Sequence, residues 1–138
     1  MTPHHPIIER FFIAIKSNNV DDLKSIFDEN ITFKPPTYWK EWQGKEVVAR
    51  ILCHVGSVFK NLEYKRVLCH GSDYFLEFSC NIGQLNAVGV DMISINKDGL
   101  IENFEVVMRP YKSVGELRKA MALLTSNDPF LSSLHFKV

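Results

Sequence analysis

The 138-residue chain has no surplus of either charge, because 16 Lys and Arg are balanced by 16 Asp and Glu. Domains that bind nucleic acid carry a basic excess or a basic stripe, so no nucleic-acid partner is expected. No run of like charge marks an interaction tail. Cysteine is scarce, odd in number and widely spaced, at Cys53, Cys69 and Cys80, with no CxxC. That usage fits reduced thiols in a cytoplasmic protein. The longest N-terminal apolar run, Phe11 to Ile15, is too short for a secretory signal core or a membrane span. Glycine-rich phosphate loops, G-x-S-x-G elbows and H-E-x-x-H helices are all missing. Cys53-His54 and Cys69-His70 repeat a potential ligand pair, but neighbouring side chains diverge on a helix or a strand. Neither pair can chelate one ion locally, and no metal or cofactor is expected.

Large rings and alternating apolar residues are what the chain does have. It is 46% hydrophobic with ten Phe and two Trp, enough for one domain with a wide core or an aromatic-lined pocket. The reading is a single α+β domain over residues 1–138, with a core at about 6–124 and an apolar extension over 125–138. Residues 6–17 place Ile7, Ile8, Phe11, Phe12 and Ile15 on one helical face. Asn18-Asn19 ends that helix and caps a short second one, Val20 to Asp28. A brief strand, Ile31 to Phe33, stops at Pro35-Pro36. Tyr38, Trp39 and Trp42 then sit in a loop that must tuck its rings against something.

A third helix is expected from about Gly44 to Lys60, with a broad apolar stripe and His54 at its edge. From Leu62 the period changes to two, giving strands at about 62–70, 73–82, 85–96 and 100–109. Their short turns force an antiparallel meander. A fourth helix is expected near Ser113, where Ser113 and Glu116 form a capping-box pattern. The tail holds Phe130, Leu131, Leu134 and Phe136, too apolar for a disordered end, so it is expected to dock. His4 and His5 are expected to fray.

Residues 85–110 contain the most informative anomaly. Asp91 stands among Val88, Gly89, Val90, Met92 and Ile93. A carboxylate there is either buried at a cost or used. Apolar neighbours favour its neutral form, in which it donates one hydrogen bond. The structural alternative is that Asp91 bonds the indole N–H of Trp39 or Trp42, or a backbone group. His54 is a second acid/base candidate if it reaches Asp91; otherwise it is a satisfied core histidine. Phe104, Val106 and Met108 share one face of the last strand, and Glu105, Val107 and Arg109 the other. Arg109 reads as a carboxylate-orienting group or as half of a structural ion pair.

Three segments in this order, SNNVDDLKSIFDENITF, GKEVVARIL and GVDMISINKDGLIENFEVVMRP, resemble the nuclear transport factor 2-like superfamily, in particular its SnoaL-like branch. The resemblance spans residues 6–124. It implies a cone-shaped fold, in which a strongly curved, mainly antiparallel sheet wraps around the N-terminal helices and is joined by a C-terminal helix. It also implies an apolar pocket and a homodimer formed through the outer sheet face. Asp91 resembles the strand carboxylic acid of ketosteroid isomerases, which stays protonated and hydrogen-bonds an oxyanion. The isomerases' other two groups do not carry over: Phe11 falls at their oxyanion tyrosine and Lys34 at their aspartate base.

The expectation is a SnoaL-like protein with a pocket for a small apolar molecule. Its lining would be Phe11, Ile15, Trp39, Trp42, Ile51, His54, Phe104 and Met108, with Asp91 and His54 as catalytic candidates. Cofactor-free proton transfer of an isomerase, cyclase or dehydratase kind fits these residue types. The rival expectation is a non-catalytic, dimeric ligand-binding or interaction module.

Overall fold

The computed structural model describes residues 5–134. Helix α1 (Pro6–Ser17) starts where the His5 ring Nδ1 accepts the Ile7 N–H at 3.1 Å, and proline fills its first position. His5 is held rather than frayed, since its own backbone N–H donates to the Tyr74 hydroxyl; His4 and Phe136 lie outside the described residues. Asn18 ends α1 in the left-handed region at φ 55°, and the Asn19 side chain accepts the Asp22 N–H to open α2 (Val20–Lys24).

Strand β1 (Phe27–Lys34) follows, then β2 (Trp42–Gln43), α3 (Lys45–Val58) and four long strands. These are β3 (Lys60–His70), β4 (Asp73–Ile82), β5 (Leu85–Ile95) and β6 (Ile101–Arg109). Helices α4 (Tyr111–Ser126) and α5 (Pro129–Ser133) close the described chain. The six strands form one curved sheet in the order β2-β1-β6-β5-β4-β3, antiparallel except for the β1–β6 pair. Short turns make the β3-to-β6 meander. At the β5–β6 turn, Gly99 takes φ +78°, and the Asn96 side chain accepts the N–H groups of Asp98 and Leu100. One sheet face packs on α1, α3 and α4, where Phe11, Phe33, Phe78, Leu76 and Ile93 are fully buried.

The end of α2, the start of β1 and the start of α4 differ from the sequence reading. Helix α2 stops at Lys24 instead of reaching Asp28. The Ser25 hydroxyl donates to the Asp22 carbonyl, and β6 then recruits the next residues, with the Ile101 N–H donating to Ile26 and Phe27 pairing with Ile101. Tertiary pairing thus overrides a weak helical propensity. Helix α4 begins at Tyr111, and Ser113 is no cap; its hydroxyl donates to the Asn86 carbonyl at 2.6 Å and ties the helix to β5. The segment after α4 docks, with Leu131 fully buried and the Arg50 guanidinium 4.8 Å from the centre of the Phe130 ring.

Candidate active site

Strand register brings the site together. Leu76, Asp91 and Val106 lie side by side across β4, β5 and β6, and in the next row Tyr64, Phe78, Gly89 and Met108 do the same from β3 to β6. Asp91 is only 4% exposed. The Tyr64 hydroxyl donates to its Oδ2 at 2.8 Å. Among the described residues Oδ1 has no hydrogen-bond partner, yet no buried side-chain oxygen is left sealed without one. Oδ1 therefore opens onto the cavity that Asp91 lines.

Burial pushes the Asp91 carboxyl up to about 7, against the Tyr64 hydrogen bond, which pulls it down. Burial likewise holds the Tyr64 hydroxyl well above its usual 10, and the neighbouring Asp91 charge adds to this. The Tyr64 ring is fixed by Phe11, Phe12 and Phe78, with centroids at 6.0, 4.6 and 6.2 Å. Cys80 is buried nearby; burial, then the Asp91 charge, raises its thiol to about 11 and keeps it protonated and inert.

The cavity is small, about 40 Å³ in volume. That is room for a few waters; a ring compound needs side chains to move. Its walls come from Ile15 of α1, from Leu52, Val55 and Gly56 of α3, from Leu117 of α4, and from the sheet residues Phe33, Phe78, Phe104 and Val106. Asp91 and Tyr64 are its ionisable groups among the described residues. A site so built offers one carboxyl poised between acid and carboxylate, one phenol that orients it, and an apolar surround that excludes competing hydrogen bonds.

Ile15 and Phe104 stand in this wall with Asp91. Phe11 is buried behind it, touching the Tyr64 and Phe104 rings. Ile51 lines a smaller neighbouring cavity. Met108 lies half-buried in an outer groove that also reaches Trp39. Trp39 is 99% exposed, so it lines no closed pocket. The loop instead tucks in Tyr38, whose hydroxyl accepts the Trp42 indole N–H at 2.8 Å while the two rings meet edge to face. The indole alternative for Asp91 is thereby overturned: its donor is Tyr64, and the Trp42 N–H is used on Tyr38.

His54 does not join Asp91. Its Nε2 lies 2.7 Å from Asp128 Oδ2, and Asp128 Oδ1 accepts the N–H groups of Phe130 and Leu131 at the start of α5. Burial works to raise the Asp128 carboxyl, but these bonds outweigh it and hold the group below its usual range. Lys34 is exposed, on the opposite strand face from Phe33. Arg109 is exposed and makes no ion pair among the described residues. The Cys53 thiol donates to the Asn18 carbonyl, the Cys69 thiol to that of Gly71, and no group of three or more ligating side chains among the described residues could hold a metal.

Tyr64 is the site residue that sequence reasoning missed. Strand β3 has irregular register between Lys60 and Glu63 and again between Tyr64 and Val67. Its inward side chains therefore do not keep a period of two. The available signal was an aromatic residue two places after Leu62 in a strand otherwise rich in charge.

No protein-family model and no curated protein matches the chain. Solved structures do. A protein from Silicibacter pomeroyi described as conserved in bacteria with a cystatin-like fold is 44% identical, with a TM-score of 0.92 over 95% of this chain and 93% of that one. A steroid delta-isomerase from Pseudomonas aeruginosa is 29% identical, with a TM-score of 0.82 over 94% and 93% of the two chains. A nuclear transport factor 2-like protein from Cytophaga hutchinsonii is 19% identical, with a TM-score of 0.63 over 81% and 97%. The chain belongs to the nuclear transport factor 2-like superfamily, whose ketosteroid-isomerase-like and SnoaL-like members share its cone of helices and curved sheet. Among the described residues no helix is long and apolar enough to cross a membrane.

Proposed function

We propose that the cavity beside Asp91 binds a small apolar molecule bearing one oxygen, and that Asp91 moves a proton on it in a cofactor-free reaction of the isomerase or cyclase kind. The observation that carries this reading is the Tyr64–Asp91 pair, buried in an apolar cavity with Asp91 Oδ1 open to it. A carboxyl near 7 serves as acid and base at neutral pH, since both of its forms are populated. With Lys34 on the opposite strand face and Phe11 in the core, one carboxyl has to collect a proton and return it. A single-base shift of a proton between two carbons, or protonation of a ring-closing oxygen, fits that arrangement. Likeness to a steroid delta-isomerase over nearly the whole chain supports the general kind of chemistry.

A homodimer through the outer sheet face and a cytoplasmic setting belong to the same reading. The first is supported by exposed Phe75, Val88 and Val107 on that face, the second by three unpaired cysteines. The test is native mass spectrometry of freshly purified protein, followed by a proton-exchange assay on whatever small molecule co-purifies. Wild type should exchange solvent deuterium into the compound, and Asp91→Asn should lose at least a hundredfold in rate. An undiminished rate in Asp91→Asn would sink the proposal.

A further inference from the structure

The Asp91 cavity shares a wall with the outer groove. Strand β1 pairs with β6 as far as Lys34 beside Glu105. There it leaves the sheet, because Pro35 and Pro36 have no N–H to donate. Strand β6 runs on to Arg109, so Val106, Val107 and Met108 border a gap instead of a strand. The gap opens outward as the groove of about 720 Å³, with residues 34–41 as its other bank. Pro36 and Val106 line both the groove and the Asp91 cavity, so a layer one residue thick separates the two.

Elsewhere the cavity is closed by fastened elements. Strands β4, β5 and β6 pair on both sides of Asp91. At the far end of α3 the Asn18 side chain sits so close to Gly56 that a Cβ there would lie 2.6 Å from its Oδ1. The Cys53 thiol bonds the Asn18 carbonyl, and Phe59 stacks on Phe78 at 5.8 Å. The loop 35–41 differs. Among the described residues, Thr37, Trp39, Lys40 and Glu41 make no backbone hydrogen bond. Tyr38 and Lys40 are held by Trp42, the first through its hydroxyl and the second with Nζ 4.3 Å from the ring centre. Trp39, Lys40 and Glu41 are already exposed, so an outward swing of the loop uncovers little apolar surface.

We infer that residues 35–41 are a gate, and that the way from solvent to Asp91 runs through the gap beside Val106 and Met108. Pro36 is the plug. The loop swings on its ends in β1 and at Trp42, lifts Pro36 off Val106 and joins the groove to the cavity. The gate governs access, and it stands whether or not Asp91 transfers a proton.

Thiol labelling with methyl methanethiosulfonate tests the gate on the protein without ligand. Leu52 is 3% exposed and lines the cavity but not the groove, so the Leu52→Cys thiol is reached from inside the cavity. Cys53→Ser, made alongside, removes the neighbouring thiol and keeps a donor for the Asn18 carbonyl. Cys80 is buried in the core, labels when the whole fold opens, and so times global opening. Peptide mass spectrometry separates the two sites.

The Leu52→Cys thiol should label at least tenfold faster than Cys80. Pro36→Gly, which takes away the plug, should speed its labelling at least tenfold more. Tyr38→Phe, which cuts the hydrogen bond to Trp42 and keeps the ring, should speed it about fivefold. The Cys80 rate should stay constant in both. Asn18→Gly suits the left-handed backbone and clears the opposite end of the cavity, and it should change neither rate. Acceleration by either loop variant at a constant Cys80 rate bears the gate out. Labelling in step with Cys80, indifference to both loop variants, or a rate raised by Asn18→Gly overturns it.

Discussion

The Tyr64 hydroxyl donates to Asp91 Oδ2 at 2.8 Å, across two strand interfaces and from a strand whose register is broken on both sides of the tyrosine. The bond opposes the effect of burial on Asp91. Tyr64→Phe removes the donor and keeps the ring, so aromatic packing survives while Asp91 loses its partner. Stability at pH 8 should fall by about 1–3 kcal/mol, and the Asp91 titration should move upward. Urea unfolding reads the first, and the Asp91 carboxyl carbon resonance the second. An Asp91 titration that stays in place would show that the bond does not act on the carboxyl.

Asp91 itself sets a pH window. Its carboxyl is raised from 3.8 to about 7, so between those values the folded protein holds a proton that the unfolded chain has lost. The favourable contribution is fully present below about 4 and is lost as pH rises to about 7. Above that, the buried charge is a standing cost of up to about 4 kcal/mol. Asp91→Asn cannot ionise. Its stability should match wild type near pH 5 to within about 1.5 kcal/mol and exceed it at pH 8.5. Paired chemical-denaturation curves at the two pH values check this; a constant difference between the proteins would refute it.

At Asp128 the sign is reversed. Its carboxyl is held below the usual range, so it contributes stability above its unfolded value near 3.9 and loses it as pH falls through the folded value. It caps α5 and meets His54 on α3, so it fastens the end of the described chain to the core. Asp128→Ala should cost about 1–3 kcal/mol. Amide exchange in 129–134 should accelerate before that in β4 or β5. Uniform acceleration across the protein would mean that α5 does not open separately.

The parts of the fold legible in the sequence are those in which one period dominates. Ile7, Ile8, Phe11 and Ile15 announced α1, and the alternation from Leu76 to Ile82 announced β4. Where pairing partners decide, the sequence is silent. Phe27 becomes a strand residue because Ile101 is there to pair with it. Asp91 was conspicuous as one acid in an apolar strand. Its partner was not, because irregular register hides which side chains of β3 face inward. His54 looked inward on its helix, but its orientation is set by Asp128, 74 residues away, and no local pattern reports that distance. Trp39 shows the converse: an aromatic residue in a loop invites a buried reading, yet Tyr38 and Trp42 satisfy each other and leave it outside.

Gly89 carries a packing prediction. A Cβ placed there would lie 2.6 Å from the Phe78 ring tip, 2.5 Å from the Val107 carbonyl oxygen and 2.9 Å from Met108 Cγ. The Phe78 ring lies against bare backbone, which lets it form a cavity wall beside Tyr64. Gly89→Ala should cost about 1–3 kcal/mol by overpacking and push Phe78 toward the cavity. Thermal unfolding measures the first effect, and retention of the co-purifying small molecule in native mass spectra, expected to fall, the second. A variant as stable as wild type would mean that β5 and β6 shift freely here.

The outer sheet face supplies the last test. Leu68, Phe75 and Val107 are 65, 47 and 47% exposed, and cross-strand pairing sets Phe75 against both Leu68 and Met92, and Val107 against Val90. Apolar side chains adjoining across four strands make a continuous patch of the kind monomers avoid. A second copy laid against it buries apolar surface on both sides at once. Sedimentation at micromolar concentration should give a dimer for wild type. The double substitution Phe75→Lys and Val107→Lys should give a monomer, since it sets four like charges in the buried interface, and should leave ligand binding on the opposite face within about twofold. A monomeric wild type, or a dimer that tolerates both lysines, would move the interface elsewhere.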